Sequence, residues 1–301
     1  MEKSSKPGPL YLAGLGLCDE EDVPPRSLEV LRQCAHIYAE SYTNLMREGT
    51  MERLEKKIGK PIARLSREDV EGEKTILHSC SDGPTALLAP GDPMTATTHE
   101  SLRQAARLRG IEVRILHASS IFSAAAGAAG LQIYKFGKTA TIPYWREKFE
   151  PVSFIDLLSE NRARGAHTLC LLDIDAHWGP MKPSVALELL QKAQERKLKD
   201  QTLSSPLLTP ATPLFVLWHV GWPDQKIWAG ALKDWPYGKE EAITRASAEG
   251  SASVAGHAGA ASGSSAPAHH EPAGPAVIIL PGMMHFSEEE SFRQAAAGPG
   301  F

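Results

Sequence analysis

Short apolar runs alternate with segments of helical periodicity along most of this chain, and this alternation constrains the fold more than any other feature. The run Leu10–Leu15 contains Gly14 and is followed directly by a second glycine, Gly16. The run Thr85–Ala89 is followed by Pro90-Gly91. Runs of five or six apolar residues that end at glycine or proline are typical of buried strands. Strands that alternate with helices predict a mostly parallel or mixed sheet with helices on its faces, the α/β class.

The same patterns place the remaining elements. The predicted strands are Leu10–Leu15, Ile37–Glu40, Thr85–Ala89, Glu112–His117, Thr139–Pro143, Thr168–Ile174, Leu214–Val220 and Ala276–Leu280. The predicted helices are Ser27–Cys34, His99–Arg109, Ser120–Ala129, Phe154–Arg164, Ser184–Arg196 and Glu288–Ala297. A chain of 301 residues is long enough for two ordinary domains. We predict two α/β domains, residues 1–118 and 119–301.

Residues 246–275 differ in composition from the rest, because nearly all are Ala, Ser, Gly, His or Pro. Such a segment has too little to bury to offset its ordering entropy, so we expect a flexible insertion in the second domain. His257, His269 and His270 lie in it. A metal-binding tract is the alternative, but the composition favours a solvated linker.

Charge and cysteine usage narrow the class of protein. The formal net charge is only -4, which gives no global basic field, so we expect no nucleic acid partner. The four cysteines have no C-x-x-C spacing and no accompanying histidine cluster, so we expect neither disulfides nor a metal site. Neither a secretory signal nor a run near the ~18 apolar residues of a membrane span is present. We therefore expect a soluble, cytoplasmic protein without a membrane partner.

The glycine pair Gly14 and Gly16 follows the first predicted strand and could open a dinucleotide-binding turn, with Glu40 as the acid that binds a ribose. The third glycine position of that motif holds Asp19, and the acids Asp19–Asp22 would repel a phosphate. They suit a cationic or neutral ligand, or a solvated loop. A purely structural strand-to-loop turn is equally compatible with the pair.

Asp92 stands between Gly91 and Pro93 at the carboxyl end of a predicted parallel strand, the edge where open α/β sheets bind ligands. A carboxylate there could compensate the cation of a sulfonium or an amino group. The alternative is an Asx-turn that only caps the local backbone. Thr97 or Thr98 could in the same way merely cap the helix that begins at His99.

Four segments carry a resemblance to a known family. Residues 10–17 and 90–93 resemble the tetrapyrrole-methylase superfamily of S-adenosylmethionine-dependent class III methyltransferases. Residues 91–99, 130–138 and 167–174 narrow this to the diphthine synthase family. The resemblance runs from about Leu10 to about Phe292, interrupted by the low-complexity segment. It implies two α/β domains with a cofactor cleft between them.

The resemblance also implies the residues that contact S-adenosylmethionine. Matched position by position, they are Leu17, Asp92, Thr95, Ser120, Ile121, Leu172, Ala229, Gly230 and His285. The match within Ile227–Gly230 is uncertain by one residue. Each position has a structural alternative: Ser120 could cap a helix, Leu172 could be a core residue and His285 could be an interior histidine.

Members of this family methylate the amino nitrogen of a 3-amino-3-carboxypropyl group on a histidine of translation elongation factor 2, giving diphthine, and eukaryotic members also esterify its carboxylate. They are homodimers, which we expect here by resemblance. No catalytic residue is assigned; His99 and His117 are candidates for a general base, with structural or solvated roles as alternatives. A precorrin-type methylase, a nicotinamide-dinucleotide oxidoreductase and a non-enzymatic adaptor stay open as other functions.

The chain departs from the family pattern at Trp218-His219-Val220-Gly221, where a small residue and an arginine usually precede the glycine. The second half is also rich in tryptophan. Trp145, Trp178, Trp222, Trp228 and Trp235 could line the substrate side, but aromatic residues more often pack in cores, because they bury large areas.

Overall fold

The computed structural model describes residues 6–40, 42, 45–237 and 270–298. Most of the low-complexity segment, including His257 and His269, lies outside these residues. The described chain divides into two compact units. Unit 1 contains the residues up to Ile133 together with Ile174–Gly179 and His219–Lys226. Unit 2 contains Tyr134–Asp173, Pro180–Trp218 and the residues from Ile227 onward.

A five-stranded parallel sheet forms the centre of unit 1. Its strands are β1 (Leu10–Gly14), β2 (His36–Glu40), β3 (Ala63–Leu65), β4 (Thr85–Ala89) and β5 (Val113–Leu116), in the order β3-β2-β4-β1-β5. All four neighbouring pairs run parallel. The carboxyl ends of the five strands therefore share one edge, as the alternating pattern predicts, and the residues that follow them are brought close together.

Helices cover both faces of this sheet. They are α1 (Pro25–Gln33), α2 (Thr50–Ile58), α3 (Arg67–Glu71), α4 (Lys74–Ser79), α5 (His99–Leu108) and α6 (Ile121–Ala128). Leu12 of β1 packs in one core cluster with Leu102 of α5, whereas Ala13 packs in another with Leu28 of α1 and Leu54 of α2. Because successive side chains point to opposite faces and both faces are covered, the central strands β1 and β4 read as nearly continuous apolar runs.

Unit 2 is built on a mixed sheet. Its elements are β6 (Ala140–Ile142), α7 (Phe154–Ala163), β7 (Thr168–Leu172), α8 (Pro183–Lys199), β10 (Pro213–Trp218), β11 (Lys226–Ala231), β12 (Ala276–Leu280) and α9 (Phe286–Ala297). The strand order is β11-β10-β12-β7-β6. β12 runs antiparallel to β10 and β7, and β6 runs parallel to β7. The short strands β8 (Ile174–Asp175) and β9 (Gly179–Pro180) form a separate two-stranded ribbon.

The structure differs from the sequence-based prediction in several elements. Residues 168–174 are not one strand: β7 ends at Leu172, where Oδ2 of Asp173 accepts the backbone N–H of Tyr144 at 2.9 Å. The elements α2, α3, α4, β3, β9 and β11 went unpredicted, although Met51, Leu54 and Ile58 give α2 a helical apolar spacing. The helix α6 belongs to unit 1, whereas the predicted boundary near residue 118 assigns it to the second domain. The domain boundary stays a prediction.

Most of the tryptophans of unit 2 pack in its core. The rings of Trp218 and Trp235 are stacked with centroids 5.9 Å apart, and Trp228 meets Trp235 edge to face at 5.0 Å. The indole N–H of Trp145 donates to the carbonyl oxygen of Pro151 at 3.1 Å. Packing, rather than a substrate surface, accounts for these side chains. Within the described part of the chain, no helix combines the length and apolar character needed to cross a bilayer.

Candidate functional site

The glycine loop after β1 and the turn after β4 are joined backbone to backbone. Gly91 N donates to Gly16 O at 2.7 Å, and Gly16 N donates back to Gly91 O at 3.3 Å. A Cβ at position 14 would lie 2.5 Å from the carbonyl oxygen of Gly91, so only glycine permits this approach. The two motifs that stand far apart in the sequence therefore form one structure at the sheet edge.

The acids that follow the glycine loop are all engaged within unit 1. Asp22 turns inward, and its Oδ2 accepts the backbone N–H groups of Leu17 at 3.0 Å and Cys18 at 2.8 Å. The other three acids form ion pairs: Asp19 with Arg47, Glu20 with Arg53 and Glu21 with Lys57. The acids hold the loop against α2 and the residues before it, so their charge is no argument for a cationic ligand.

Asp92 accepts hydrogen bonds from four donors. Its Oδ1 accepts from Met94 N at 3.0 Å and Thr95 Oγ1 at 3.3 Å, and its Oδ2 accepts from His117 Nδ1 at 2.7 Å and Ala118 N at 3.4 Å. A carboxylate offers about four acceptor sites, so this one is saturated. Burial favours the neutral acid, but these donors outweigh it and lower the pKa of Asp92. The Asx-turn weighed from the sequence is present, and it holds an ionised carboxylate at the edge.

A buried pair, His99 and Glu40, stabilises this turn through the backbone of Pro93. His99 Nδ1 lies 2.7 Å from the carbonyl oxygen of Pro93 and must donate to it, and His99 Nε2 lies 3.0 Å from Oε2 of Glu40. Burial disfavours protonation of His99, but the hydrogen bond and charge of Glu40 raise its pKa above the ordinary value. Glu40 is 1% exposed. Its carboxylate is engaged by His99, which removes the main support for Glu40 as the ribose-binding acid of a dinucleotide site.

The start of α6 completes the edge. Ser120 caps this helix, because its side chain accepts the backbone N–H of Phe122 at 3.3 Å. The helix-cap alternative for Ser120 is thus correct, and its carbonyl oxygen also accepts the backbone N–H groups of Ser123 at 3.1 Å and Ala124 at 3.0 Å. The bonds that join Gly16 to Gly91 and Asp92 to Ala118 bring together the five predicted contact residues of unit 1, which are Leu17, Asp92, Thr95, Ser120 and Ile121.

The segment His219–Lys226 also packs against the glycine loop, and its specific contacts were not foreseen from the sequence. The indole N–H of Trp222 donates to Leu17 O at 2.8 Å, and a Cβ at Gly221 would lie 3.1 Å from Leu17 Cβ. The rings of His219 and Trp222 are stacked with centroids 4.5 Å apart, and His219 Nδ1 lies 2.9 Å from Asp224 Oδ2. This is the stretch where the chain departs from the family pattern. That departure, together with the unusual number of tryptophans that includes Trp222, was the signal in the sequence.

The other predicted contact residues lie in unit 2. Leu172 ends β7 beside Ile142 of β6. Ala229 and Gly230 lie in β11, where Ala229 is buried and a Cβ at Gly230 would lie 2.7 Å from the Trp228 ring. His285 precedes α9 and is exposed, so the interior-histidine alternative for it is wrong.

A buried polar cluster holds residues 134–138 in place. Glu288 pairs with Lys135, and its Oε1 lies 3.1 Å from Nε2 of His167. Nδ1 of His167 accepts the backbone N–H of Gly282 at 2.8 Å, which requires a neutral ring, and burial lowers the pKa of His167. Residues 134–138, part of a stretch that resembles the diphthine synthase family, are thus held by structural contacts. These contacts account for the segment without a role in the reaction.

A cavity of about 290 Å³ lies beside the end of β2 and is lined in part by Pro90 and Glu40. Its two arginines are already paired, Arg47 with Asp19 and Arg64 with Glu52. Leu17 and Asp92 do not line it. We therefore do not assign it to the cofactor.

The cysteines do not form a reactive or metal-binding group. All four are buried free thiols. Burial raises the pKa of Cys18 and Cys34 to about 11 and that of Cys170 to about 12. Among the described residues, no cluster of His, Cys, Asp and Glu side chains has a geometry that could hold a metal ion.

Comparison with known proteins gives the class. The profile of the family described as Tetrapyrrole (Corrin/Porphyrin) Methylases matches residues 9–236, which include the glycine loop, the Gly-Asp-Pro turn and the start of α6. A crystal structure of diphthine synthase superposes with a TM-score of 0.74 at 25% sequence identity, covering 95% of each chain. The fold is thus that of a tetrapyrrole methylase, and the matched residues include the sheet edge of unit 1.

Curated relatives narrow this further. The diphthine synthase of Methanothermobacter thermautotrophicus is 42% identical over 200 residues, which are 66% of this chain and 75% of that protein. The diphthine methyl ester synthase of Homo sapiens is 39% identical over 242 residues, 74% of this chain and 83% of that protein. The chain therefore belongs to the diphthine synthase family of the tetrapyrrole methylases, and it is a methyltransferase of diphthamide biosynthesis.

Proposed function

We propose that this protein transfers methyl groups from S-adenosylmethionine to the amino nitrogen of the 3-amino-3-carboxypropyl-histidine of translation elongation factor 2, giving diphthine. The observation that carries the proposal is the identity of 42% with a relative named diphthine synthase. The elongation factor is the protein substrate, a homodimer is the expected assembly, and the cytoplasm is the expected compartment. Neither nucleic acid nor a membrane is a proposed partner.

The edge of unit 1 fits S-adenosylmethionine, a nucleoside with a sulfonium and no phosphate. It offers the ionised carboxylate of Asp92, which lies beside the residues that lead into α6. The basic side chains nearest the glycine loop, Arg47, Arg53 and Lys57, are ion-paired with acids of the loop. They are therefore not free to bind a phosphate, and S-adenosylmethionine has none. A Cβ at Gly91 would meet nothing nearer than Ser119 O at 4.0 Å, so this face of the turn is open.

The residues proposed to hold the cofactor are Leu17, Asp92, Thr95, Ser120, Ile121, Leu172, Ala229, Gly230 and His285. When bound, S-adenosylmethionine supplies an electrophilic methyl group on a good leaving group. The protein needs to align the attacking lone pair with the methyl–sulfur axis, so orientation is its main contribution. The amine must be neutral to attack, and an α-amino group titrates near ~8, so partial desolvation favours the reactive form.

Methyl transfer to the modified factor tests this function. The protein is incubated with radiolabelled S-adenosylmethionine and elongation factor 2 that carries the precursor group, and we expect label on the factor. Label on a corrinoid precursor instead would indicate a tetrapyrrole methylase. Calorimetry with S-adenosylmethionine and a nicotinamide dinucleotide separates the remaining alternatives, since an adaptor would bind neither.

Methylation of the carboxylate is the second candidate, because one relative is named diphthine methyl ester synthase and is 39% identical. A methyl ester is removed by mild alkali, whereas methyl groups on nitrogen remain. Mass spectrometry of the modified peptide before and after alkali therefore gives the number of methyl esters and the number of methyl groups on nitrogen. We expect all added mass to survive alkali, and a loss of one methyl group would assign ester formation as well.

A further inference from the structure

His117 lies at the same sheet edge as the predicted cofactor contacts of unit 1. It directly follows β5, which ends at Leu116, and precedes Ser120 and Ile121 by only a few residues. Its Nδ1 lies 2.7 Å from Oδ2 of Asp92. Because an ionised carboxylate can only accept, Nδ1 carries a proton and donates it.

The two partners differ strongly in exposure. The Asp92 side chain is 10% exposed, whereas that of His117 is 69% exposed. Asp92 is held by three donors besides His117, so the buried carboxylate fixes the exposed ring. Among the described residues, His117 makes no other hydrogen bond. In the neutral ring, Nε2 therefore keeps a lone pair that solvent or a substrate can reach.

We propose that His117 is the proton acceptor of the amine methylation and that Asp92 is its positioning residue. Asp92 fixes the tautomer with the proton on Nδ1 and stabilises the imidazolium that forms, a division of labour known from other histidine–carboxylate pairs. This role rests on the amine transfer proposed above. A transfer to the carboxylate would need no proton acceptor.

The proton balance of each cycle gives His117 a defined task. The substrate ammonium passes one proton to Nε2, which frees its lone pair. The lone pair forms the new nitrogen–carbon bond as the carbon–sulfur bond breaks and the neutral thioether leaves. The new ammonium must lose a proton again before a second methyl group can be added. The exposed imidazolium returns its proton to water between cycles.

Few charged groups face the His117 ring. Of the described residues, Asp92 is the only one in ion-pair or hydrogen-bond contact with it. The four residues that follow in the chain, Ala118–Ile121, carry no charge. A change in the pH dependence of the His117 variants is therefore attributable to the His117–Asp92 pair.

His117→Asn is the most informative variant, because the asparagine amide can replace Nδ1–H towards Asp92 but offers nothing in place of Nε2. We expect up to about tenfold slower transfer to the precursor-bearing factor at pH 7, because an amine that titrates near ~8 is only about one-tenth neutral there. The loss should shrink as the pH approaches 9, because solvent then deprotonates the amine. Partly methylated product should accumulate in mass spectra, while calorimetric affinity for S-adenosylmethionine stays at the wild-type value. Exogenous imidazole should restore part of the rate.

Two further variants sharpen the test. Asp92→Asn leaves one acceptor oxygen for donors on two sides and disturbs the His117 tautomer, so its rate should also be lowered most at pH 7 and should approach the wild-type rate as the pH rises. His78→Asn, at an exposed histidine of α4, should match wild type. A loss in His117→Asn that is equal at every pH, or no loss while wild type transfers label, would overturn the role of His117 and leave the proposed function standing. If wild type transfers no label, both proposals fail.

Discussion

Trp222 donates its indole N–H to the backbone carbonyl oxygen of Leu17 at 2.8 Å, across 205 residues of sequence. Leu17 is the first predicted cofactor contact, and its own N–H is held by Asp22 at 3.0 Å. The residue is thus fixed through both of its backbone polar groups. The tryptophan, which directly follows the four residues that depart from the family pattern, stabilises the glycine loop.

Trp222→Phe should remove this hydrogen bond while keeping an aromatic ring near His219. We expect a loss of about 0.5–1.5 kcal/mol in stability and a several-fold weaker affinity for S-adenosylmethionine. Trp145→Phe is the matched control, because it removes an indole N–H bond to a carbonyl in unit 2. Calorimetry on both variants measures the affinity. Equal affinities in the two would mean that the bond to Leu17 has no part in cofactor binding.

Asp92→Ala should weaken the binding of S-adenosylmethionine, since four donors lose their acceptor and the turn that follows β4 loses its shape. We expect an affinity loss of at least tenfold and a stability loss of roughly 1–3 kcal/mol. Asp69→Ala serves as the control, because this carboxylate also accepts backbone and hydroxyl bonds, at the start of α3. Unchanged affinity in Asp92→Ala would exclude Asp92 from the cofactor site.

Gly137→Ala should destabilise the protein, because its Cβ would lie 2.1 Å from Oδ1 of Asn161. That amide cannot retreat freely, since it bonds Lys138 N at 2.9 Å and Lys138 O at 2.7 Å. We expect a loss of roughly 1–3 kcal/mol. Thermal unfolding of Gly137→Ala, Asn161→Ala and the double variant checks this. The two losses should be clearly less than additive, and simple additivity would show that the clash is not the cause.

His167 should make the protein sensitive to acid. Its pKa is lowered in the folded state, so below the ordinary value near ~6.5 the unfolded chain binds the proton more readily. Its stabilising contribution is therefore complete above that pH and is lost as the pH falls towards the folded-state pKa. The urea midpoint of wild type should drop between pH 7 and pH 5 by more than that of His167→Gln. A parallel drop in both would refute the assignment, and His78→Gln provides the exposed control.

The cofactor site stays a prediction, and the structure adds partners around its residues that the sequence did not show. The sequence placed Asp92 at a strand end and left two interpretations open, a carboxylate that faces a ligand or an Asx-turn that caps the backbone. The structure shows the turn, with His117 as an additional partner. It also shows Ser120 as a helix cap and Glu40 paired with His99. The turn and the cap are local and were open alternatives in the sequence, but the His117–Asp92 and His99–Glu40 pairs could not be identified from local pattern, because each joins segments at the ends of different strands.

What the sequence determined by itself is the set of apolar strands, the glycine and proline positions that end them, and hence the parallel sheet and the edge at which unit 1 presents its loops. These follow from periodicity and backbone sterics, which act over a few residues. Only the tertiary structure decided which donors saturate Asp92, that Trp222 holds Leu17, and that Glu288 joins Lys135 to His167. Such pairs depend on distances between segments up to 205 residues apart, which burial and packing set once the whole chain has folded.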